Sequence, residues 1–335
     1  MKIAKILFTG IGQVAFFEDE YTLPSELFRD DLLLKTEYTL ISPGTEMDCL
    51  MGRAGGKTFP KCLGYSAVCR VERCGAEVSE FQIGDRVLVY HSIHQSFQLK
   101  NKADVVKVPD GLDPVDAVFA VVGCMGFQGV RKVKPELGEG FLIMGLGLLG
   151  QIAAQCASLN GAFPLIATDY NEHRRKIALE HGVDFAFSPD EPELFSKVKE
   201  LTHGGMGVNC AVEITGNPSA VKQTLKMMAP FGRVALVGCS RTPTTEIDFY
   251  NDVHRPGIQL IGAHNFVRPK EDSYPGYWTM KKDMALLMDL IKARRLNTHC
   301  LVTTVEKPQN APSVYARFMK KDPIMLGAVF DWRSI

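Results

Sequence analysis

The chain has 335 residues, with 38 basic and 38 acidic side chains in balance. That length is too great for one ordinary core, so two domains are expected; the balanced charge, without a long run of one sign, excludes a nucleic-acid or membrane-surface tail and favours a small-molecule partner. Nine cysteines, odd in number, scattered and without a C-x-x-C pair, read as reduced thiols of a cytoplasmic protein and not as a disulfide or zinc framework.

In chain order, MKIAKILFTGIGQVAFFEDE begins with an apolar stretch that Gly10, Gly12 and Gln13 interrupt, and no small-x-small cleavage site follows. A first β-hairpin is expected there. The first ~120 residues carry β-branched runs and Gly-Asp turns with few helical periods. Within them VCRVERCGAEVSEFQIGDRVLV reads as strand, turn, strand, with Gly84 and Asp85 tightening the return, and the pattern suggests a small antiparallel barrel. From Phe141 onward short apolar runs alternate with helical segments: FLIMG and LLGQIAAQCASLNG, PLIATD and NEHRRKIALEHG, FAFS and EPELFSKVKELTHGG, VNCAVEIT and NPSAVKQTLKMMAP, then GRVALVG and IQLIGAH. Six strands in such alternation predict right-handed βαβ units and a doubly wound parallel sheet covered on both faces. Beyond His264 come the loop RPKEDSYPGYW, an amphipathic helix around KKDMALLMDLIKARR and a closing strand LGAVFDW, a tail expected to return to the first domain. The most apolar segment, Gly140 to Gly150, is far short of the ~20 residues of a membrane span, so no anchor is expected.

Gly145, Gly147 and Gly150 form G-L-G-L-L-G between the strand FLIMG and the helix that starts at Leu148 and Leu149. The first glycine permits the tight turn, the second lets a pyrophosphate approach the backbone, and the third lets helix pack on strand, with the positive helix end facing the phosphates. Asp169, nineteen residues past Gly150 at the end of PLIATD, is placed to accept the adenosine ribose hydroxyls and to repel a 2′-phosphate. NAD is therefore favoured over NADP. Arg174 is expected to flank the same ribose, and with Arg175 it leaves NADP as the lesser alternative.

On these residues, together with the ISPGTE turn, LGYS, GDRV at Gly84 to Val87, KVPDGL at Lys107 to Leu112 and VEITGNPSA at Val212 to Ala220, the chain resembles the medium-chain dehydrogenase/reductase family. The resemblance covers nearly the full length. It implies an α/β protein with a GroES-like β-barrel catalytic domain (residues 1–121 and 267–335) and a six-stranded doubly wound Rossmann domain that binds NAD (residues 122–266). It further implies a homo-oligomer, dimer or tetramer. In zinc members a cysteine, a histidine and a third ligand hold the metal. Matched position by position, Pro43 takes the cysteine's place, Tyr65 the histidine's, and Ala120 or Val121 the third, a set without the donors zinc needs. The four-cysteine lobe is replaced by YHSIHQSFQLKNKADVVKVP, and Cys49, Cys62, Cys69 and Cys74 match no zinc spacing. No metal is expected.

Without zinc, side chains must take the hydroxyl proton and stabilise charge on the substrate oxygen. The resemblance places Tyr65 over the pocket. A phenol of ordinary pKa near 10 needs a cation beside it, and Lys61, His91 or His94 are the candidates. His91 and His94 follow the strand RVLVY and titrate in the range of a general base. Thr45 corresponds to the family's proton-relay hydroxyl, with Asp48 standing where some relatives have a relay histidine, and Glu46 is a base or an anchor. Val237, Gly238 and Cys239, and Ala263 to Asn265, end two strands that in the family border the nicotinamide. Tyr274, Tyr277, Trp278 and Arg268 lie in a loop for which three roles are open: capping the pocket, meeting another subunit, or packing for structure alone. The reading is a zinc-independent, NAD-dependent dehydrogenase of a secondary alcohol, with a sugar, cyclitol or polyol suggested by the polar lining. The alternatives are a zinc-free NAD(P)H-dependent enone or quinone reductase and a catalytically silent NAD-binding protein.

Overall fold

The computed structural model describes residues 2–22, 24–274 and 277–335. The chain divides into two units, Met1–Val122 with Lys281–Ile335, and Gly123–Met280. The first division lies one residue from the expected one, whereas the second falls at 280/281 and not at 266/267. The reason is local packing of the loop after His264 on the helix that begins the nucleotide-binding unit. Gln128 donates to the Val267 carbonyl at 2.9 Å, Arg268 donates to the Cys124 carbonyl, and Arg131 lies 4.1 Å from the centre of the Trp278 ring.

The first unit starts with a hairpin of β1 (Lys2–Gly10) and β2 (Gln13–Glu20), paired antiparallel. Then come β3 (Asp31–Leu40), α1 (Pro43–Leu50), β4 (Ser66–Cys74), β5 (Arg86–Tyr90), β6 (Phe97–Asn101), β7 (Val105–Lys107), α2 (Pro114–Ala117) and α3 (Phe119–Lys132), which carries the chain into the second unit. Antiparallel pairing of β3, β4, β5 and β7 makes the predicted barrel sheet, and β6 returns to pair with β3. Alternation puts Leu32, Leu34, Cys69, Val71, Val87 and Val89 into one core.

In the second unit β8 (Phe141–Met144), α4 (Leu148–Leu159), β9 (Leu165–Thr168), α5 (Glu172–Glu180), β10 (Phe185–Phe187), α6 (Leu194–Leu201), β11 (Val208–Glu213), α7 (Pro218–Met227), β12 (Met228–Leu236) and β13 (Gln259–Gly262) alternate as the sequence predicts. The sheet runs β10-β9-β8-β11-β12-β13, all parallel. That order reverses between β8 and β11, the doubly wound switch at which such sheets bind nucleotides. Every residue of β8 and β9 is buried, as strands covered on both faces require. Asn171 and Asn217 cap α5 and α7 through their side chains.

The tail returns to the first unit through α8 (Met280–Lys292), β14 (Val302–Glu306), α9 (Ala311–Met319) and β15 (Gly327–Asp331). β15 pairs antiparallel with β3 and parallel with β14. A core of Ile6, Phe8, Ile41, Leu50, Tyr315, Phe330 and Trp332 joins the chain's beginning to this tail.

Candidate active site

The glycine-rich turn has the geometry that its sequence demands. Gly145 follows β8 with φ +100°, a left-handed conformation that favours glycine. A Cβ on Gly150 would lie 1.9 Å from the Gly145 carbonyl oxygen, so no side chain fits where α4 crosses the strand. Gly147, the N-cap of α4, is different: a Cβ there meets no atom within 4 Å. Open space thus lies over the first turn, where the N–H groups of Leu148 and Leu149 have no acceptor within the helix and the helix end is positive. These residues fit the pyrophosphate of a dinucleotide and would hold it there.

Asp169 follows β9 and faces the turn. Its Oδ2 accepts the Leu146 N–H and its Oδ1 the Asn171 N–H, each at 2.8 Å. Each carboxylate oxygen keeps a further lone pair for a ribose hydroxyl. Arg174 brings Nη1 to 3.7 Å from the same carboxylate, and its Nε is buried without a hydrogen-bond partner among the described residues. Val237, Gly238 and Cys239 follow β12, and Ala263 and Asn265 follow β13, at the same carboxyl-end edge of the sheet as Asp169. Glu213, not foreseen from the sequence, ends β11 with a carboxylate that accepts the N–H groups of Thr215 and Gly216 and the Thr215 hydroxyl. Burial pushes its carboxyl above the ordinary 4.5 against those hydrogen bonds.

In the barrel unit, register brings two of the predicted residues together. Ser66 of β4 stands opposite Tyr90 of β5, so one step further the chain sets Tyr65 beside His91, their ring centres 5.4 Å apart. His91 also packs on Tyr90 at 3.9 Å. Its backbone is left-handed at φ 51°. Gly64, with φ +147°, precedes Tyr65 because a Cβ there would lie 2.9 Å from the backbone of Ile93 and His94. Burial lowers the imidazole's pKa below its ordinary 6.5, the Lys100 charge lowers it further, and Asp104 opposes both. Lys100 donates to the His91 carbonyl.

His94 and Glu46 belong elsewhere. Both are 1% exposed and paired with one another in the interior. His94 Nδ1 is 2.7 Å from Thr39 Oγ1 and Nε2 is 3.1 Å from Glu46 Oε2. The Ser42 N–H donates to Glu46 Oε1 at 2.7 Å, the Tyr315 hydroxyl donates to Oε2, and Trp332 Nε1 donates to Thr39 at 2.9 Å. Every atom is satisfied when Thr39 donates to Nδ1 and the imidazole donates from Nε2. Burial and the Glu46 carboxylate push the Tyr315 phenol well above 10, so it stays a donor. The cluster anchors α1, and with it Thr45, which lies half-buried in that helix's first turn.

Lys61 donates to the carbonyls of Gly55 and Gly56 at 2.9 and 2.6 Å, and Asp48 accepts from Arg53 Nε at 2.9 Å. Of the aromatic loop, Trp278 and Phe127 flank the Arg131 guanidinium at 4.1 and 4.2 Å, and Tyr277 stacks on Tyr274. Pro275 and Gly276, within RPKEDSYPGYW, lie outside the described residues. Lys100 had a legible signal: in FQLKN, Gln98 and Lys100 turn inward while Leu99 is 44% exposed, an inverted alternation.

At the positions matching zinc ligands stand a pyrrolidine, Pro43, a phenol, Tyr65, and the buried apolar Ala120 and Val121. This donor set does not fit zinc, which takes thiolate, imidazole or carboxylate in tetrahedral array.

Comparison with known proteins agrees with this architecture. Residues 29–129 match the family description "Alcohol dehydrogenase GroES-like domain" and residues 149–282 match "Zinc-binding dehydrogenase". D-guloside 3-dehydrogenase of Escherichia coli K12 is 27% identical over 273 residues, covering 80% of this chain and 77% of that protein. L-threonine 3-dehydrogenase of Vibrio cholerae is 30% identical over 286 residues, covering 73% and 79%. Among solved structures, galactitol-1-phosphate dehydrogenase from Escherichia coli superposes with a TM-score of 0.84 at 17% identity, covering 98% of this chain and 99% of that one. A GroES-like barrel, a doubly wound sheet with its phosphate-cradling turn and these relatives together establish that the chain belongs to the medium-chain dehydrogenase/reductase family, as an alcohol dehydrogenase-like oxidoreductase.

Proposed function

We propose that the protein interconverts a secondary alcohol and a ketone with NAD and without a metal, and that its substrate is polyhydroxylated: a sugar, cyclitol or polyol. The observation that carries this reading is a complete dinucleotide cradle, open at Gly147, in a chain whose zinc-ligand positions hold Pro43, Tyr65 and Ala120 or Val121. The names of the relatives support the substrate class, since guloside and galactitol-1-phosphate are polyhydroxylated. Asp169 supports NAD by presenting a carboxylate where a 2′-phosphate would sit.

When bound, the nicotinamide supplies the hydride acceptor or donor. The chain's own residues handle the proton. Tyr65 donates to the substrate oxygen when a ketone is reduced and accepts from the hydroxyl when an alcohol is oxidised. His91, held uncharged near neutral pH by burial and Lys100, receives that proton. Thr45 orients the hydroxyl. Glu46 and His94 keep α1 in place and do not touch the substrate. We place the enzyme in the cytoplasm, in keeping with nine scattered cysteines that contain no C-x-x-C pair, and as a homo-oligomer by resemblance to its family.

Tyr65→Phe is expected to lower kcat about 10²-fold or more, the typical contribution of a proton-transferring group, with cofactor affinity unchanged by NADH fluorescence. A rate within a few-fold of the parent removes Tyr65 from the reaction. Turnover on a polyol and sugar panel with NAD should survive EDTA, and loss of activity restored by zinc would overturn the metal-free scheme.

A further inference from the structure

We propose that Lys100 is a positioning residue for His91: its ammonium, donating to the His91 carbonyl from β6, holds the left-handed turn that sets the imidazole against Tyr65. The inference rests on the reading of His91 as the proton acceptor.

Three observations converge on it. Lys100 lies in β6 on the same side as the buried Gln98, while the apolar Leu99 between them is exposed. Withdrawing a lysine ammonium from water is costly unless it finds an acceptor, and the acceptor here is the carbonyl of His91, which follows β5 with a positive φ. The ring of that residue is then packed between Tyr65 and Tyr90, at 5.4 and 3.9 Å. A main-chain carbonyl held by a charged donor is a firmer anchor than a turn relying on local propensity.

The electrostatic consequence has a fixed sign. Among the described residues, the titratable and charged groups bearing on His91 include Tyr65 before β4, Tyr90 at the end of β5, Lys100 in β6 and Asp104 in the turn after it, with Cys69 of β4 next to Lys100. Lys100 disfavours the imidazolium and Asp104 favours it. Burial in turn lowers the lysine's own pKa below 10.5, with Asp104 and Cys69 opposing. His91 is thereby held uncharged near neutrality, the form that can take up a proton.

The test follows the ring signals of the eight histidines by NMR through a pH titration of the full chain, with His91 assigned by its loss in His91→Gln. Lys100→Gln keeps a donor but removes the charge, so the His91 midpoint should rise and the acid limb of kcat/KM should move to higher pH with it. Lys100→Arg should restore both toward the parent. Asp104→Asn, which does not depend on the lysine variants folding, should move the midpoint the opposite way. An unchanged His91 midpoint in folded Lys100→Gln, or a shift of the same sign in Asp104→Asn, overturns the assignment. Near-normal turnover in His91→Gln refutes the catalytic reading of His91 separately, because the titration reports on Lys100 whether or not the ring takes part in the reaction.

Discussion

His94 and Glu46 show how residue type and residue role part company. A histidine and a glutamate near a dehydrogenase turn suggest acid-base work, and nothing in the linear sequence reveals that Tyr315 and Trp332, more than two hundred residues away, close around them. Tyr65 and His91 were more legible, because the antiparallel register of β4 and β5 that makes them neighbours follows from the Gly84-Asp85 turn. The buried cluster makes a separable prediction. Tyr315→Phe removes one donor from a buried carboxylate and should cost about 1–3 kcal/mol in urea unfolding, while leaving kcat near the parent value. A large fall in kcat at unchanged stability would instead bring Glu46 into the reaction.

At the scale of elements, the nucleotide-binding sheet was the most readable part: strict strand–helix alternation and a glycine fingerprint leave few topologies open. The barrel was read only in outline. The strand β14, its parallel pairing with β15 and the helix α9 escaped, since their apolar runs are short. Two alanine substitutions separate fold from binding in the glycine turn. Gly147→Ala should leave the melting temperature nearly unchanged and weaken NADH binding at least tenfold, its new methyl standing in the open cradle; Gly150→Ala should destabilise the unit itself, because its Cβ collides with the Gly145 carbonyl. Equal behaviour of the two variants would contradict the packing described. In the barrel, Glu37 of β3 ties together Arg70 of β4 and Arg86 of β5. Burial pushes its carboxyl up, but the two guanidiniums outweigh that and hold it below 4.5. A lowered folded pKa means stability that is present above the unfolded value and lost as pH falls through the folded one. Acid unfolding of the parent should therefore steepen below about pH 4.5, and Glu37→Gln should flatten that limb while lowering stability at neutral pH.

Across the whole molecule, the division into Met1–Val122 with Lys281–Ile335 and Gly123–Met280 makes the barrel unit discontinuous in the chain. Ile6, Phe8, Ile41 and Leu50 pack with Val314, Tyr315, Phe330 and Trp332. During synthesis the early strands must therefore wait for the last part of the chain, while residues 123–280 have all their core in hand. A chain ending before Ala311 should keep the nucleotide-binding sheet protected from proteolysis and leave residues 1–122 open to cleavage. Protection of both halves would show that the early strands fold alone. On the ribosome the order of completion thus departs from the order of the codons: the middle is finished first, and the beginning is completed by the end.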